Sequence, residues 1–179
     1  MRILAFAATI HTGSINKQLV TYAARLLEEG LVEGAEVEII DLADYELPLF
    51  TQDREVQLGQ PPLAQKFLDQ IAAADALLIS FAEHNGNMTV AWKNLFDWCS
   101  RIEGKVYQGT PAVFLSTSPG GRGGVGAVQA AMARAPFAGG DVKATFALPS
   151  FGKNFDKEAG EITDPELRQG LIEALKALG

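Results

Sequence analysis

The sequence predicts a doubly wound α/β domain, in which helices cover both faces of a parallel sheet. Strand and helix signals alternate along all 179 residues, and this alternation is typical of parallel α/β folds. Segments 76–81 and 111–117 are apolar at most positions, as strands buried on both faces are. We expect one domain over residues 1–179, because this length suits a single core.

Five strands and five helices follow one another in the predicted order. We expect the strands at residues 2–8, 35–42, 76–81, 111–117 and 142–148. We expect the helices at about residues 14–30, 63–73, 88–101, 125–134 and 163–178. Two segments lie outside this pattern: residues 43–62 are predicted to form a long irregular connection, and residues 151–162 a partly ordered surface segment.

Sequence signals delimit several of these elements. Ser14 is a suitable cap for the first helix, and Gly30 marks its end. The second strand alternates charged and apolar residues, which indicates an edge strand. For the last helix two starts fit, either Thr163 and Glu166 as a capping box or Asp164 as a cap before a proline.

Polar loops follow the first, third and fourth strands, at residues 9–13, 83–87 and 118–124. In the flavodoxin-like strand order 2-1-3-4-5 these three strands are adjacent, so their loops meet at one crevice. Ligands of open α/β sheets bind at such a switch point. We therefore predict a flavodoxin-like three-layer fold with a five-stranded parallel sheet in the order 2-1-3-4-5.

Composition excludes several classes of partner. The net charge of −7 argues against nucleic acid or an anionic membrane as the main partner. No apolar run approaches the roughly 20 residues of a membrane span. The single cysteine, Cys99, permits no internal disulfide and no cysteine-rich metal site. We expect a cytoplasmic protein without a metal site.

Two other functions fit the loops poorly. Residues 121–126 formally match the dinucleotide pattern GxGxxG, and Asp141 lies twenty residues after Gly121. That acidic residue should end the next strand, whereas Asp141 begins it, so we interpret the match as chance. A phosphoacceptor receiver domain needs an acidic pair after the first strand, and residues 9–13 contain no acid.

Several motifs resemble those of the NAD(P)H-dependent FMN reductase family. Residues 82–86, Ala-Glu-His-Asn-Gly, with Lys-Asn and Asp-Trp at 93–94 and 97–98, resemble its Pro-Glu-Tyr-Asn-Gly and Lys-Asn-x-x-Asp-Trp pattern. Loop 118–124 is similar to the family's third loop, and Ser14 with Asn16 fits its first loop. Segments 47–53 and 155–167 also resemble family segments, so the likeness covers almost the whole chain.

The resemblance implies an enzyme with FMN as cofactor and NADPH or NADH as co-substrate. It also implies a small-molecule electron acceptor, such as a quinone, and a homodimer or homotetramer. No catalytic side chain is expected, because the flavin itself carries hydride chemistry. The expected cofactor-binding residues are Thr9, His11, Thr12, Ser14 and Asn16 around the phosphate, and Ala82, Glu83, His84, Asn85, Gly86, Ser118, Pro119, Gly120 and Gly121 around the ring.

The motif departs from the family at five positions. Ala8 and Thr9 stand in place of Gly-Ser, His11 in place of a phosphate-binding arginine, Ala82 in place of proline and His84 in place of tyrosine. Histidine offers less charge than arginine near neutral pH. Two alternatives therefore stay open: an electron-transfer module without nicotinamide turnover, and a homologue that has lost FMN.

The helix at 88–101 carries an unusual number of aromatic residues. We expect Trp92, Phe96 and Trp98 to lie in the core or in a subunit interface, with part of this helix face in an interface. The polar residues Lys93, Asn94 and Asp97 are expected to brace the neighbouring loop.

Overall fold

The computed structural model describes all 179 residues. A five-stranded parallel sheet forms the middle layer, in the order β2-β1-β3-β6-β7. Its strands are β1 (Arg2–Ala7), β2 (Glu36–Ile39), β3 (Ala76–Phe81), β6 (Pro111–Thr117) and β7 (Asp141–Leu148). Because these are the first to fifth predicted strands, the predicted order 2-1-3-4-5 is confirmed.

Helices cover both faces of the sheet and produce two separate cores. The helices are α1 (Ile15–Leu26), α2 (Gln52–Leu58), α3 (Pro62–Ala72), α4 (Val90–Cys99), α5 (Val125–Arg134), α6 (Phe151–Asn154) and α7 (Pro165–Lys176). Helices α3, α4 and α5 enclose one core, while α1 and α7 enclose the other. Short 3₁₀ or π turns occur at Leu27–Leu31, Leu42–Tyr45 and Ala135–Ala138.

The predicted helix boundaries have visible causes. The Ser14 hydroxyl accepts the N–H groups of Asn16 and Lys17 and so caps α1. At the far end Gly30 adopts φ 103°, a conformation that glycine reaches without steric cost. Asp164 caps α7 through the N–H groups of the second and third helical residues, which selects the second of the two predicted starts.

Two segments are more ordered than the sequence suggested. The connection at 43–62 contains helix α2, whose start is capped by the Thr51 hydroxyl. None of the α2 residues is buried, so the helix shows no apolar periodicity. Residues 151–162 form α6 and a hairpin between β8 (Phe155–Asp156) and β9 (Glu161–Ile162). Phe151, Phe155 and Ile162 are buried in this segment, so it is regularly folded and anchored in the core, and not only partly ordered as predicted.

The aromatic residues of α4 face the interior of their own domain. Trp92 and Trp98 are only 1% and 0% exposed, and Phe96 is buried. Trp92 packs against rings from β1, β3 and α3, including Phe6 at 5.5 Å between ring centroids. The rings therefore occupy the core, the first of the two expected places, and their burial does not require a subunit interface.

One polar residue of α4 braces the segment at 47–50, and not the loop after β3 as expected. Asn94 accepts the N–H of Phe50 at 2.7 Å and donates to the carbonyls of Leu47 and Pro48. Trp98 adds an indole N–H bond to Pro48 at 2.7 Å. Lys93 and Asp97 instead pair with each other on the helix surface. Asn94 thus fixes the segment before α2.

None of the helices combines the length and the hydrophobicity that a membrane span needs.

Candidate functional site

A crevice opens at the carboxyl ends of β1, β3 and β6, where the predicted loops meet. Its volume is about 570 Å³, within the range of small-molecule sites. Twelve residues line it: Thr9, His11, Gly13, Ser14, Ile15, Asn16, Ala82, Glu83, His84, Thr117, Ser118 and Pro119. No lysine or arginine is among them. The crevice thus occupies the switch point at which open α/β sheets bind ligands.

The first loop presents backbone donors at the start of α1. The Thr9 hydroxyl accepts the His11 N–H at 3.2 Å, and the Ser14 N–H bonds to the His11 carbonyl. In contrast, the N–H groups of Thr12, Gly13 and Ile15 have no acceptor within the chain. Such a helix start attracts anions, because its N–H groups and the helix dipole act together.

The His11 imidazole lies beside this helix start. A Cβ built on Gly13 would come within 3.3 Å of the His11 Nε2, so the ring rests against the Gly13 backbone. His11 and the unpartnered N–H groups therefore border the same part of the crevice. This part of the crevice can hold a phosphate group.

Asn16 ties the first loop to two strands. Its Oδ1 accepts the Ser80 hydroxyl at 2.9 Å and the Thr117 N–H at 3.0 Å. Its Nδ2 donates to the Thr117 carbonyl at 3.1 Å. The side chain is 3% exposed, so these bonds are shielded from water. Asn16 lines the crevice as a brace between α1, β3 and β6.

The second loop, predicted only as a polar loop, forms a hairpin. Strands β4 (Glu83–His84) and β5 (Asn87–Met88) pair around a tight turn. Asn85 and Gly86 have φ values of 53° and 76°, as an Asn-Gly turn of type I′ requires. The hairpin places His84 at the crevice, while Asn85 and Gly86 lie at its tip, outside the lining.

Helix α5 holds this hairpin in position. The Glu83 carboxylate accepts the Ala127 N–H at 3.2 Å and shares this donor with the Gly124 carbonyl, so it links the hairpin to the first turn of α5. The hairpin also lies against Gly126, where a Cβ would come within 2.7 Å of the Gly86 carbonyl oxygen. Gly126 thus has a packing function, which explains why a glycine occupies this helix position.

The third loop combines exposed donors with a close approach to β7. The N–H groups of Ser118, Gly120 and Gly121 have no acceptor within the chain. Behind them, Gly123 has φ 61°, and a Cβ there would clash with the Leu148 carbonyl at 2.8 Å. Ser118 lines the crevice, whereas Gly120 and Gly121 lie beyond its lining.

The structure brings together nine of the fourteen predicted site residues. The five that do not line the crevice are Thr12, Asn85, Gly86, Gly120 and Gly121. Sequence reasoning missed Thr89, whose buried hydroxyl donates to the Ala8 carbonyl at 2.8 Å and caps α4. A threonine directly before a helix was the available signal.

Comparison with known proteins identifies the family. The sequence model of the NADPH-dependent FMN reductases matches residues 1–153. The chain belongs to this family. An NAD(P)H-dependent FMN reductase of Pseudomonas aeruginosa is 33% identical over 120 residues, which are 67% of this chain and 61% of the relative. A 2-hydroxy-1,4-benzoquinone reductase of a Burkholderia species is 33% identical over 140 residues, 78% of this chain and 69% of the relative.

The matched region spans about three fifths of the length of the first relatives. It covers 61% of the Pseudomonas aeruginosa protein and 61% of an NADPH:quinone oxidoreductase of Arabidopsis thaliana.

Solved structures show the same fold as this member of the FMN reductase family. The flavoenzyme NAD(P)H:(acceptor) oxidoreductase of Paracoccus denitrificans superposes with a TM-score of 0.76 at 22% identity. That superposition covers 99% of this chain and 94% of the other.

Proposed function

We propose that this chain binds FMN in the crevice and transfers hydride from NADPH or NADH to a small oxidised acceptor. A quinone is the first acceptor to test, because several curated relatives are named quinone reductases. The observation that carries the proposal is the convergence of three loops with unpartnered backbone N–H groups on one crevice. FMN offers a phosphate and a ring edge rich in acceptors, so its chemistry complements such donors.

The first loop suits the phosphate. Three N–H groups, of Thr12, Gly13 and Ile15, lack acceptors at the start of a twelve-residue helix. His11 adds an imidazole at the same place, where the family motif has an arginine. Backbone donors supply most of the binding in this arrangement, and the histidine contributes charge only while it is protonated.

The second and third loops suit the ring. The N–H groups of Ala82, Ser118 and Gly120 have no acceptor in the chain, and each follows the end of a central strand. They can donate to the oxygen and nitrogen atoms along the ring edge. Glu83 serves this site indirectly, because its carboxylate is bonded to α5 and positions the hairpin.

When bound, FMN supplies the hydride-transfer chemistry. The chain contributes binding and orientation: the first loop holds the phosphate, and the hairpin with the third loop borders the ring. We propose that the nicotinamide and the acceptor occupy the crevice in turn. Initial rates at several acceptor concentrations should then give the parallel reciprocal plots of a ping-pong mechanism.

Visible absorption spectroscopy tests this function and separates it from the alternatives. A flavin spectrum in the purified protein, or after FMN addition, that bleaches within seconds of anaerobic NADPH or NADH addition supports the reductase. A flavin spectrum that neither nicotinamide changes would contradict it and indicate an electron carrier. A protein that never acquires flavin absorption would indicate a homologue that has lost FMN.

We also propose a homodimer or homotetramer, supported by apolar side chains near α2. Leu49, Val56 and Leu58 are 58%, 87% and 56% exposed, and Val90 at the start of α4 is 69% exposed. An ion pair from Arg101 to Glu55 holds α2 near the end of α4. Sedimentation velocity should show that Val56→Asp lowers the molecular mass, whereas Phe137→Asp, at another exposed apolar position, does not. A wild-type monomer would contradict the proposal.

A further inference from the structure

A second cavity lies between α4 and α5 and shares no lining residue with the crevice. Its volume is about 190 Å³. Aromatic and apolar side chains, among them Trp92, Phe96 and Tyr107, form most of its wall, and Lys93, Asp97, Ser100 and Arg134 add polar groups. A slightly smaller engineered cavity, of about 150 Å³, accommodates a benzene ring. The space therefore suits a molecule with a single ring.

Two hydrogen-bond donors at this cavity have no partner in the chain. Tyr107 is 1% exposed, yet no group of the chain hydrogen-bonds its hydroxyl, and the residue lines the cavity. Burial raises the pKa of Tyr107, while the nearby charge of Arg134 opposes the rise. The phenol thus remains a neutral donor at ordinary pH. The only fully shielded side-chain polar atom without a partner is the Tyr22 hydroxyl, so the Tyr107 hydroxyl is open to the cavity and can donate to a molecule there.

Arg134 is the second donor. Its guanidinium lies 6.0 Å from the centre of the Phe96 ring and forms no ion pair or hydrogen bond with the chain. The other charged groups of the cavity neutralise each other, since Lys93 and Asp97 are paired at 2.7 Å. The Ser100 hydroxyl already donates to the Asp97 carbonyl. The uncompensated charge of the cavity is therefore positive.

We propose that this cavity binds a compact aromatic carboxylate with a single ring, of the size of benzoate. The ring contacts Trp92 and Phe96, in the edge or face arrangements that aromatic pairs favour. The carboxylate accepts hydrogen bonds from the Tyr107 hydroxyl and the Arg134 guanidinium, of which the guanidinium matches carboxylate geometry. Neither residue belongs to the proposed cofactor site, so this inference does not depend on FMN binding.

Calorimetric titration of the purified protein with sodium benzoate tests the proposal. We expect saturable binding with one site per chain. Tyr107→Phe, which keeps the ring, should weaken binding about tenfold, because a hydrogen bond to a charged group is lost. Arg134→Gln should weaken it at least tenfold, whereas Lys157→Gln, which removes a cation from the opposite layer, should leave it unchanged.

Benzyl alcohol provides the matched neutral probe. It should bind the wild-type protein at least tenfold more weakly than benzoate does, and Arg134→Gln should remove most of that difference. The absence of saturable benzoate binding would overturn the proposal. This result is expected if a side chain of a second copy of the chain fills the cavity. Equal affinities of wild-type protein and both cavity variants for benzoate would overturn it as well.

Discussion

Asn16→Ala should destabilise the protein strongly, because Asn16 joins three elements at the crevice. The change removes three hydrogen bonds of 2.9 to 3.1 Å, to Ser80 and Thr117. The N–H and carbonyl of Thr117 then lose their side-chain partner. They lose it in a buried place, since Asn16 itself is only 3% exposed. Each unsatisfied buried polar group costs about 1–3 kcal/mol. We expect the free energy of unfolding to fall by about 3–5 kcal/mol, a large part of a typical domain's stability.

Urea unfolding followed by far-UV circular dichroism measures this loss. Asn154→Ala is the matched control, since the half-buried Asn154 makes a single side-chain bond, to the Pro149 carbonyl at 2.8 Å. We expect that control to lose about 1 kcal/mol. A loss for Asn16→Ala no larger than the loss for the control would refute the role of Asn16 as a brace.

Three further predictions concern His11, Gly126 and Cys99. His11→Arg should bind FMN several-fold more tightly, because arginine is always charged and can donate two parallel hydrogen bonds to a phosphate; equal affinities by fluorescence quenching would remove His11 from the phosphate site. Gly126→Ala should destabilise the protein by about 1–3 kcal/mol and weaken FMN binding, because its Cβ would meet the Gly86 carbonyl oxygen at 2.7 Å. Gly104→Ala, with no atom within 4 Å of the added Cβ, is its control, and a stabilising Gly126→Ala would contradict the packing argument. Burial raises the pKa of the Cys99 thiol to about 12, so Cys99 should resist a disulfide reagent at pH 8 until the protein unfolds; rapid reaction of the native protein would show that the thiol is accessible.

The sheet order was predictable because each central strand carries its own local signal. Buried strands appear as apolar runs, and the polar loops after them fall at the three positions that one topology brings together. The capping residues Ser14 and Asp164 act within three residues of their own position. Such local features can be recognised without knowledge of the tertiary contacts.

Features that depend on distant contacts were not predictable in the same way. Asn16 matches a cofactor motif, yet the hydrogen-bond partners of its side chain lie 64 and 101 residues away in the sequence. Only the fold shows that these partners engage the side chain of Asn16. Trp92 and Trp98 suggested an interface because the sequence does not reveal how much core their helix can fill. The hairpin after β3 is a different case, since Asn85-Gly86 is a strong turn signal that the prediction of a polar loop did not use.

Amide NMR spectroscopy during FMN titration tests the central claim, that FMN binds between the three loops at the ends of β1, β3 and β6. The experiment uses ¹⁵N-labelled protein from which any flavin has been removed. We predict saturable shifts that are largest for the unpartnered amides of Thr12, Gly13 and Ile15, followed by those of Ala82 and Gly120. Amides of the cavity between α4 and α5 should change little. Shifts centred away from the three loops, or no saturable shifts, would contradict the proposed site.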